Sequence, residues 1–322
     1  MNILYIAPYR LANNLGLESL NLLYNLYDTG HTIVSRCFFD GSVTIKDSSL
    51  LDIVNQTENS MVSKFDLLIQ HLPIQNLSYT SKIQSNLIWP ITHDMVPSME
   101  QVDKYKFLAN KSIFLYGTNT DKFVLDNIGI KKYKLLINSI NNNLCDKLNI
   151  GKFNIGIYKT YNKYYTVVDS NLEDYVQSLI INFIRTIGKK HDNCLLLFMP
   201  YISQNILDKY NTYIKDSYKL FDINFSINKI IIIPIDYSID NLLSAHNTGD
   251  IYINLRDNIQ KELAKKFNRK IVYNESEIKI CWNKWNLQKN GIADYCDSIN
   301  VNNIISSSYT ISNIKEILDS YE

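Results

Sequence analysis

What most constrains this chain is an alternation. "NILYIAP" opens at residue 2 as a short apolar run, the pattern of a strand buried on both faces. The polar loop "YRLANNLG" follows it. Leu20, Leu23, Tyr24 and Tyr27 then recur at helical spacing, and Gly30 stands where a C-cap glycine belongs. "HTIVSRCFF" returns to strand, completing a βαβ unit. "FDLLIQH" (65–71), "NLIWPIT" (86–92), "SIFLYG" (112–117) and "YKLLIN" (133–138) continue as strands, with "NTDKFVLDNIG" (119–129) as a helix. Such an order predicts an α/β fold in which helices cover both faces of a parallel sheet.

The polar, Asn-rich stretch "SINNNLCDKLNIGK" (139–152) interrupts the series and reads as a linker. A second series follows. "FNIGIY" is expected as its first strand. "SNLEDYVQSLIINFIRTIG" is its first helix, with Ser170 and Glu173 at capping-box spacing and an apolar face of Leu172, Val176, Leu179, Ile180, Phe183 and Ile187. "CLLLFMP", "NKIIIIPI", "DIYINL" and "RKIVYN" read as strands. "SQNILDKYNTYIKDSY", "SIDNLLSAHNTG" and "NIQKELAKKFN" read as the helices between them. A last helix, "TISNIKEILDSY", places Ile314, Ile317, Leu318 and Tyr321 on one side. The 322 residues fit two domains of ~150 residues each. We expect domains at 1–145 and 146–308, with 309–322 as a helix returning to the first. Two facing parallel sheets make the cleft between them the default ligand site.

Composition removes several classes of function. Lys+Arg at 33 against Asp+Glu at 32 gives no overall field for binding nucleic acid. Cys37, Cys145, Cys194, Cys281 and Cys296 are far apart, without the C-x-x-C spacing of a zinc or redox site, as for free thiols in a reducing cytosol. No run approaches the ~18 apolar residues of a membrane span, and the N-terminus lacks the pattern of a signal peptide. Abundant Ile, Asn, Lys and Tyr with scarce Gly and Pro points to an AT-rich genome, viral or bacterial.

Four strings in order resemble the nucleotide-sugar glycosyltransferases of the GT-B fold, most closely the retaining family 4 type. They are "ILYIAPYR…LGLESLNLLYNLYDTGHTIV", "ITHDMVP", "SIFLYGTNTDKFVLDNIGIKKYKLLINSIN" and "IIIIPIDYSIDNLLSAHNTGDIYINL". The resemblance implies two Rossmann-like domains, a nucleotide-sugar donor on the C-terminal one, and no cofactor or metal.

The resemblance also nominates residues. His93 and Asp94, after the strand "NLIWPIT", correspond to the family's His-Asp pair beside the transferred sugar; alternatively Asp94 caps a turn and His93 is solvated. Gly16 corresponds to the loop that lets backbone N–H groups approach a diphosphate. Lys159 and Lys163 stand where the family has cations for the leaving diphosphate. Glu262 matches the family's second donor-loop glutamate, the ribose ligand; alternatively it is a solvated helix residue beside Lys261. The first has no counterpart: Asn254 stands eight positions earlier, the intervening loop is shorter and lacks glycine, and Asp257 is the nearest substitute.

The expected activity is transfer of a sugar from a nucleotide-sugar donor in the cytoplasm, host cytoplasm for a viral gene. The acceptor class stays open between a saccharide and, for a viral gene, a modified DNA base. The alternative is a non-catalytic GT-B-like protein that binds a nucleotide or a partner. A sugar-nucleotide epimerase is a weaker fit, because no added carboxylate pair is placed for proton abstraction.

Overall fold

The computed structural model describes residues 1–39, 48–91, 97–136, 138–146, 150–168, 173–185, 187–200, 202–221, 228–255, 258–273, 314–319 and 321. They form two compact units that divide between Leu144 and Cys145, and the C-terminal helix belongs to the first.

Unit 1 holds a six-stranded parallel sheet in the order β2-β1-β3-β4-β5-β6. Its strands are β1 (Asn2–Ala7), β2 (Thr32–Cys37), β3 (Leu67–Pro73), β4 (Ser85–Ile91), β5 (Ile113–Tyr116) and β6 (Tyr133–Leu135). Helix α1 (Asn14–Tyr27) lies on one face, where the Tyr5 hydroxyl donates to the Ser19 carbonyl at 2.9 Å. Helices α3 (Met99–Ala109) and α4 (Asn119–Ile128) cover the other. There Tyr105, Leu108, Val124 and Leu125 pack on Ile88, Phe114 and Tyr116. Helix α2 (Ser48–Asn59) packs beside β2, and α5 (Asn142–Asp146) crosses the unit boundary. The final helix, α10 (Ile314–Asp319), packs on α1 and buries Ile314, Ile317 and Leu318.

Unit 2 holds a five-stranded parallel sheet in the order β11-β10-β7-β8-β9. The strands are β7 (Asn162–Val167), β8 (Asn193–Pro200), β9 (Ile230–Ile235), β10 (Ile251–Asn254) and β11 (Lys270–Tyr273). Helices α6 (Glu173–Arg185) and α7 (Gln204–Leu220) bury Val176, Ile180, Phe183 and Ile214 against Leu195, Leu197 and Ile253. Helices α8 (Ile239–Thr248) and α9 (Ile259–Lys266) meet the opposite face around Tyr165 and Tyr252. Pro234 interrupts the β9 ladder harmlessly, because β9 is an edge strand whose outer N–H positions face no partner strand.

The structure corrects four sequence expectations. Residues 153–158 are not a strand: Gly156–Thr160 form a 3-10 turn with Gly156 at φ 55°, and the strand begins at Asn162. Helices α2 and α3 were not foreseen. The first cap of α3 lies in "PSMEQ", where the Ser98 side chain and Gln101 exchange bonds with each other's backbone N–H in a capping box. Asp28, not Gly30, is the C-cap of α1, and Gly30 follows two residues later at φ 79°. Finally, residues 138–143 are no free linker. Asn21 Nδ2 donates to Asn138 Oδ1 at 2.7 Å, Asn25 Nδ2 to the Ser139 carbonyl at 2.8 Å, and Asn141 Nδ2 to Asp28 Oδ2 at 2.7 Å. The Asn-rich stretch is thereby fastened to α1. Ser170 and Leu172 lie outside the described residues.

Candidate functional site

In a parallel sheet the crevice for a ligand lies beyond the carboxyl ends of the strands, where the chain's direction of travel reverses. In unit 2 this point lies between β7, followed by β8 and β9 on one side, and β10, followed by β11 on the other. The carboxyl end of β10 leads into α9. Asn258 caps that helix, its side-chain oxygen accepting from the Gln260 N–H at 2.9 Å. Glu262 stands in the first turn, where the helix dipole favours a carboxylate. Its Oε1 lies 2.7 Å from Lys265 Nζ, and its side chain remains 34% exposed. Glu262 thus lies in the first turn of the helix that follows the carboxyl end of β10, partly exposed and paired with Lys265. Asp257 lies outside the described residues.

Behind this turn runs a buried polar chain. The Tyr165 hydroxyl lies 2.9 Å from His246 Nδ1, and His246 Nε2 lies 2.8 Å from Gln260 Oε1. His246 and Gln260 are fully buried. With Gln260 Oε1 facing the ring as an acceptor, His246 carries its proton on Nε2 and Nδ1 accepts from Tyr165. Burial, reinforced by the Arg269 charge and opposed by the bond to Gln260, pushes the imidazole down to about 4. It is neutral at physiological pH. Arg269 Nε donates to the His246 carbonyl at 2.8 Å and its Nη2 to the Asn247 carbonyl at 3.1 Å, satisfying the end of α8. A Cβ on Gly249 would lie 2.0 Å from the Tyr165 ring, so only glycine lets that ring reach the histidine.

The two lysines stand elsewhere. Because β7 begins at Asn162, Lys163 is at its amino end and Lys159 lies in the preceding 3-10 turn. Lys163 Nζ is 2.7 Å from Asp250 Oδ2 and donates to the Tyr161 carbonyl at 2.8 Å. The reason for nominating them, a position just after a strand, does not hold in this register.

In unit 1, Gly16 occupies the first turn of α1, its N–H donating to Asn13 Oδ1 at 2.9 Å. A Cβ there would come within 1.9 Å of the Leu11 carbonyl oxygen, so the loop after β1 folds directly onto the helix. Arg10 in that loop is held by Glu58 through a bidentate pair of 2.8 and 2.6 Å, which keeps the Glu58 carboxyl below its usual range. His93 and Asp94 follow the last residue of β4 in sequence and lie outside the described residues.

Sequence reasoning missed two groups. His71 Nδ1 lies 3.1 Å from Ser19 Oγ, and its Nε2 faces the Glu18 carboxylate at 3.9 Å. Its ring stacks on Trp89. The signal was a histidine near the end of an apolar strand, in "FDLLIQH". Tyr165, His246 and Gln260 gave no local signal, since 81 residues separate the first two.

Among the described residues, no group of three or more His, Cys, Asp or Glu could hold a metal ion, and no helix is long and apolar enough to cross a membrane.

No family model and no curated protein matches the sequence. Solved structures do match. One is an E. coli trehalose-6-phosphate structure bound with UDP-2-fluoro glucose, at a TM-score of 0.54 and 9% identity over 85% of this chain and 84% of that one. Another is the trehalose-6-phosphate synthase OtsA, at 0.52 and 8% over 85% and 84%. The apo structure of OtsA matches at 0.50 and 10% over 84% of each chain. The fold is thus the GT-B fold, with two Rossmann-like units.

Proposed function

We propose that this protein is a glycosyltransferase that takes a sugar from a nucleotide-sugar donor held at the carboxyl edge of unit 2. One observation carries the reading: Glu262 stands half-open in the first turn of the helix that follows the switch-point strand β10. A carboxylate there can accept hydrogen bonds from both hydroxyls of a ribose, one on each oxygen. A matching structure that is bound with UDP-2-fluoro glucose supports the donor class.

In this reading His93 and Asp94, which follow β4, act near the transferred sugar, and Gly16 gives a diphosphate access to backbone N–H groups. Asp257 supplements Glu262. The reaction needs no bound metal, and departure of the nucleoside diphosphate is assisted by backbone N–H groups and cations. The acceptor is a hydroxyl of a saccharide or of a modified DNA base. The scattered cysteines support a cytoplasmic location.

The second reading, a nucleotide- or partner-binding protein without catalysis, is favoured by the amino-edge position of Lys163 and its ion pair with Asp250.

Calorimetric titration with UDP and with uridine tests the donor reading. Binding of UDP by the native protein and a ~10-fold weakening in Glu262→Ala, about 1.4 kcal/mol, are expected. If neither UDP nor any other nucleoside diphosphate binds or raises the melting temperature, the reading fails. Release of UDP from UDP-glucose, or from another UDP-sugar, then separates enzyme from binder.

A further inference from the structure

We propose that His246 is a positioning residue of this site, fixing the rotation of α9 and hence the direction in which Glu262 points. The inference rests on the nucleotide-sugar reading above.

His246 holds both ends of the α9 segment. Its side chain bonds Gln260 in the first turn, and its carbonyl accepts from Arg269, three residues beyond the last turn. The other side of the imidazole is fixed to the sheet through Tyr165 in β7. A helix of eight residues has little stability of its own and takes its position from tertiary contacts. Its apolar contacts, Ile259, Leu263 and Ala264, set the buried face but tolerate small rotations about the helix axis. A hydrogen bond between two fully buried polar groups does not, because any other rotation strands both without water. A small rotation is enough to change the direction in which Glu262 projects from the edge.

Packing alone gives no reason for a histidine here. His246 stacks with Phe267 at 6.1 Å and meets the Tyr252 ring at 5.6 Å, surroundings in which a phenylalanine would be at home. What histidine adds is one donor and one acceptor on opposite sides of a rigid ring. The groups facing it are Tyr165 from β7, Tyr252 from β10, Gln260 from α9 and Arg269 before β11. With the ring neutral, its bonds keep one polarity from Tyr165 to Gln260.

Three variants of the full chain test this. His246→Phe keeps the volume and loses both side-chain bonds. His246→Gln can still donate an amide N–H to Gln260. Leu197→Ala, in the core of the opposite face, serves as a control for general destabilisation. Each is measured for UDP affinity by calorimetric titration, for melting temperature, and for hydrogen exchange of the α9 amides. His246→Phe is expected to raise the dissociation constant for UDP at least 10-fold and to speed exchange in α9. His246→Gln should recover most of the affinity, and Leu197→Ala should melt earlier with UDP affinity kept. Native-like affinity in His246→Phe, or losses that follow the melting temperature across all three variants, would overturn the proposal. If the native protein binds neither UDP nor any other nucleoside diphosphate, the donor reading fails separately. The positioning role is then decided by exchange alone, and unchanged α9 protection in His246→Phe would refute it.

Discussion

The imidazole of His71 lies flat on the indole of Trp89, with ring centroids 4.0 Å apart and planes 6° from parallel. The pair sits on neighbouring strands in register, His71 opposite Trp89, beneath α1. Gly117 closely approaches the same indole. A Cβ on Gly117 would lie 2.7 Å from Trp89 Cζ2. Gly117→Ala should therefore displace the indole from its stack with His71 and cost about 1–3 kcal/mol. Urea denaturation checks it, and an unchanged midpoint would mean that the stack has slack.

Gly16→Ala should be the more damaging of the two. The added carbon meets a backbone carbonyl, not the end of a side chain, so either the loop after β1 or the first turn of α1 must move. A loss of about 2 kcal/mol or more is expected, together with weaker binding of any ligand that uses this loop. Denaturation and titration of the same preparation separate the two effects.

The buried His246 makes stability depend on pH. Its folded value, about 4, lies below the ordinary value of 6.5. As pH falls below 6.5 the unfolded chain takes up a proton that the folded protein refuses, so stability declines between about pH 6.5 and 4 and levels off below. The full effect is roughly 3 kcal/mol. His246→Phe should remove this component, leaving a shallower profile across the window. Parallel profiles for the two proteins would contradict a neutral buried imidazole.

Lys163→Ala should change stability by at most about 1 kcal/mol, because Asp250 of its ion pair is 43% exposed and screened by water. The ratio of UDP to uridine affinity should stay the same, as the pair is at the amino end of β7. Selective loss of UDP affinity would return Lys163 to the diphosphate.

The alternation of strands and helices was legible because strands buried on both faces are written as unbroken apolar runs, as in "CLLLFMP". Helix α3 was not, because it buries little more than Tyr105 and Leu108 and so carries almost no stripe. The start of β7 was misplaced because "FNIGIY" and "NKYYTVV" are similarly apolar, and only the left-handed turn at Gly156 separates them. The place of Glu262, in a helix just ahead of the last strand, could be read from the sequence. His246 could not, since its role is set by Tyr165, Gln260 and Arg269, which the fold alone brings together.

The attachment of α10 to α1 has a consequence for how the molecule is made. Unit 2 is complete in sequence once β11 has left the ribosome, whereas the face of α1 that receives Ile314, Ile317 and Leu318 must wait for residues some 300 positions later. For most of synthesis the first unit to emerge is an unfinished one, with an apolar surface uncovered. Such a chain gains from a chaperone that shields α1 until the last turn arrives.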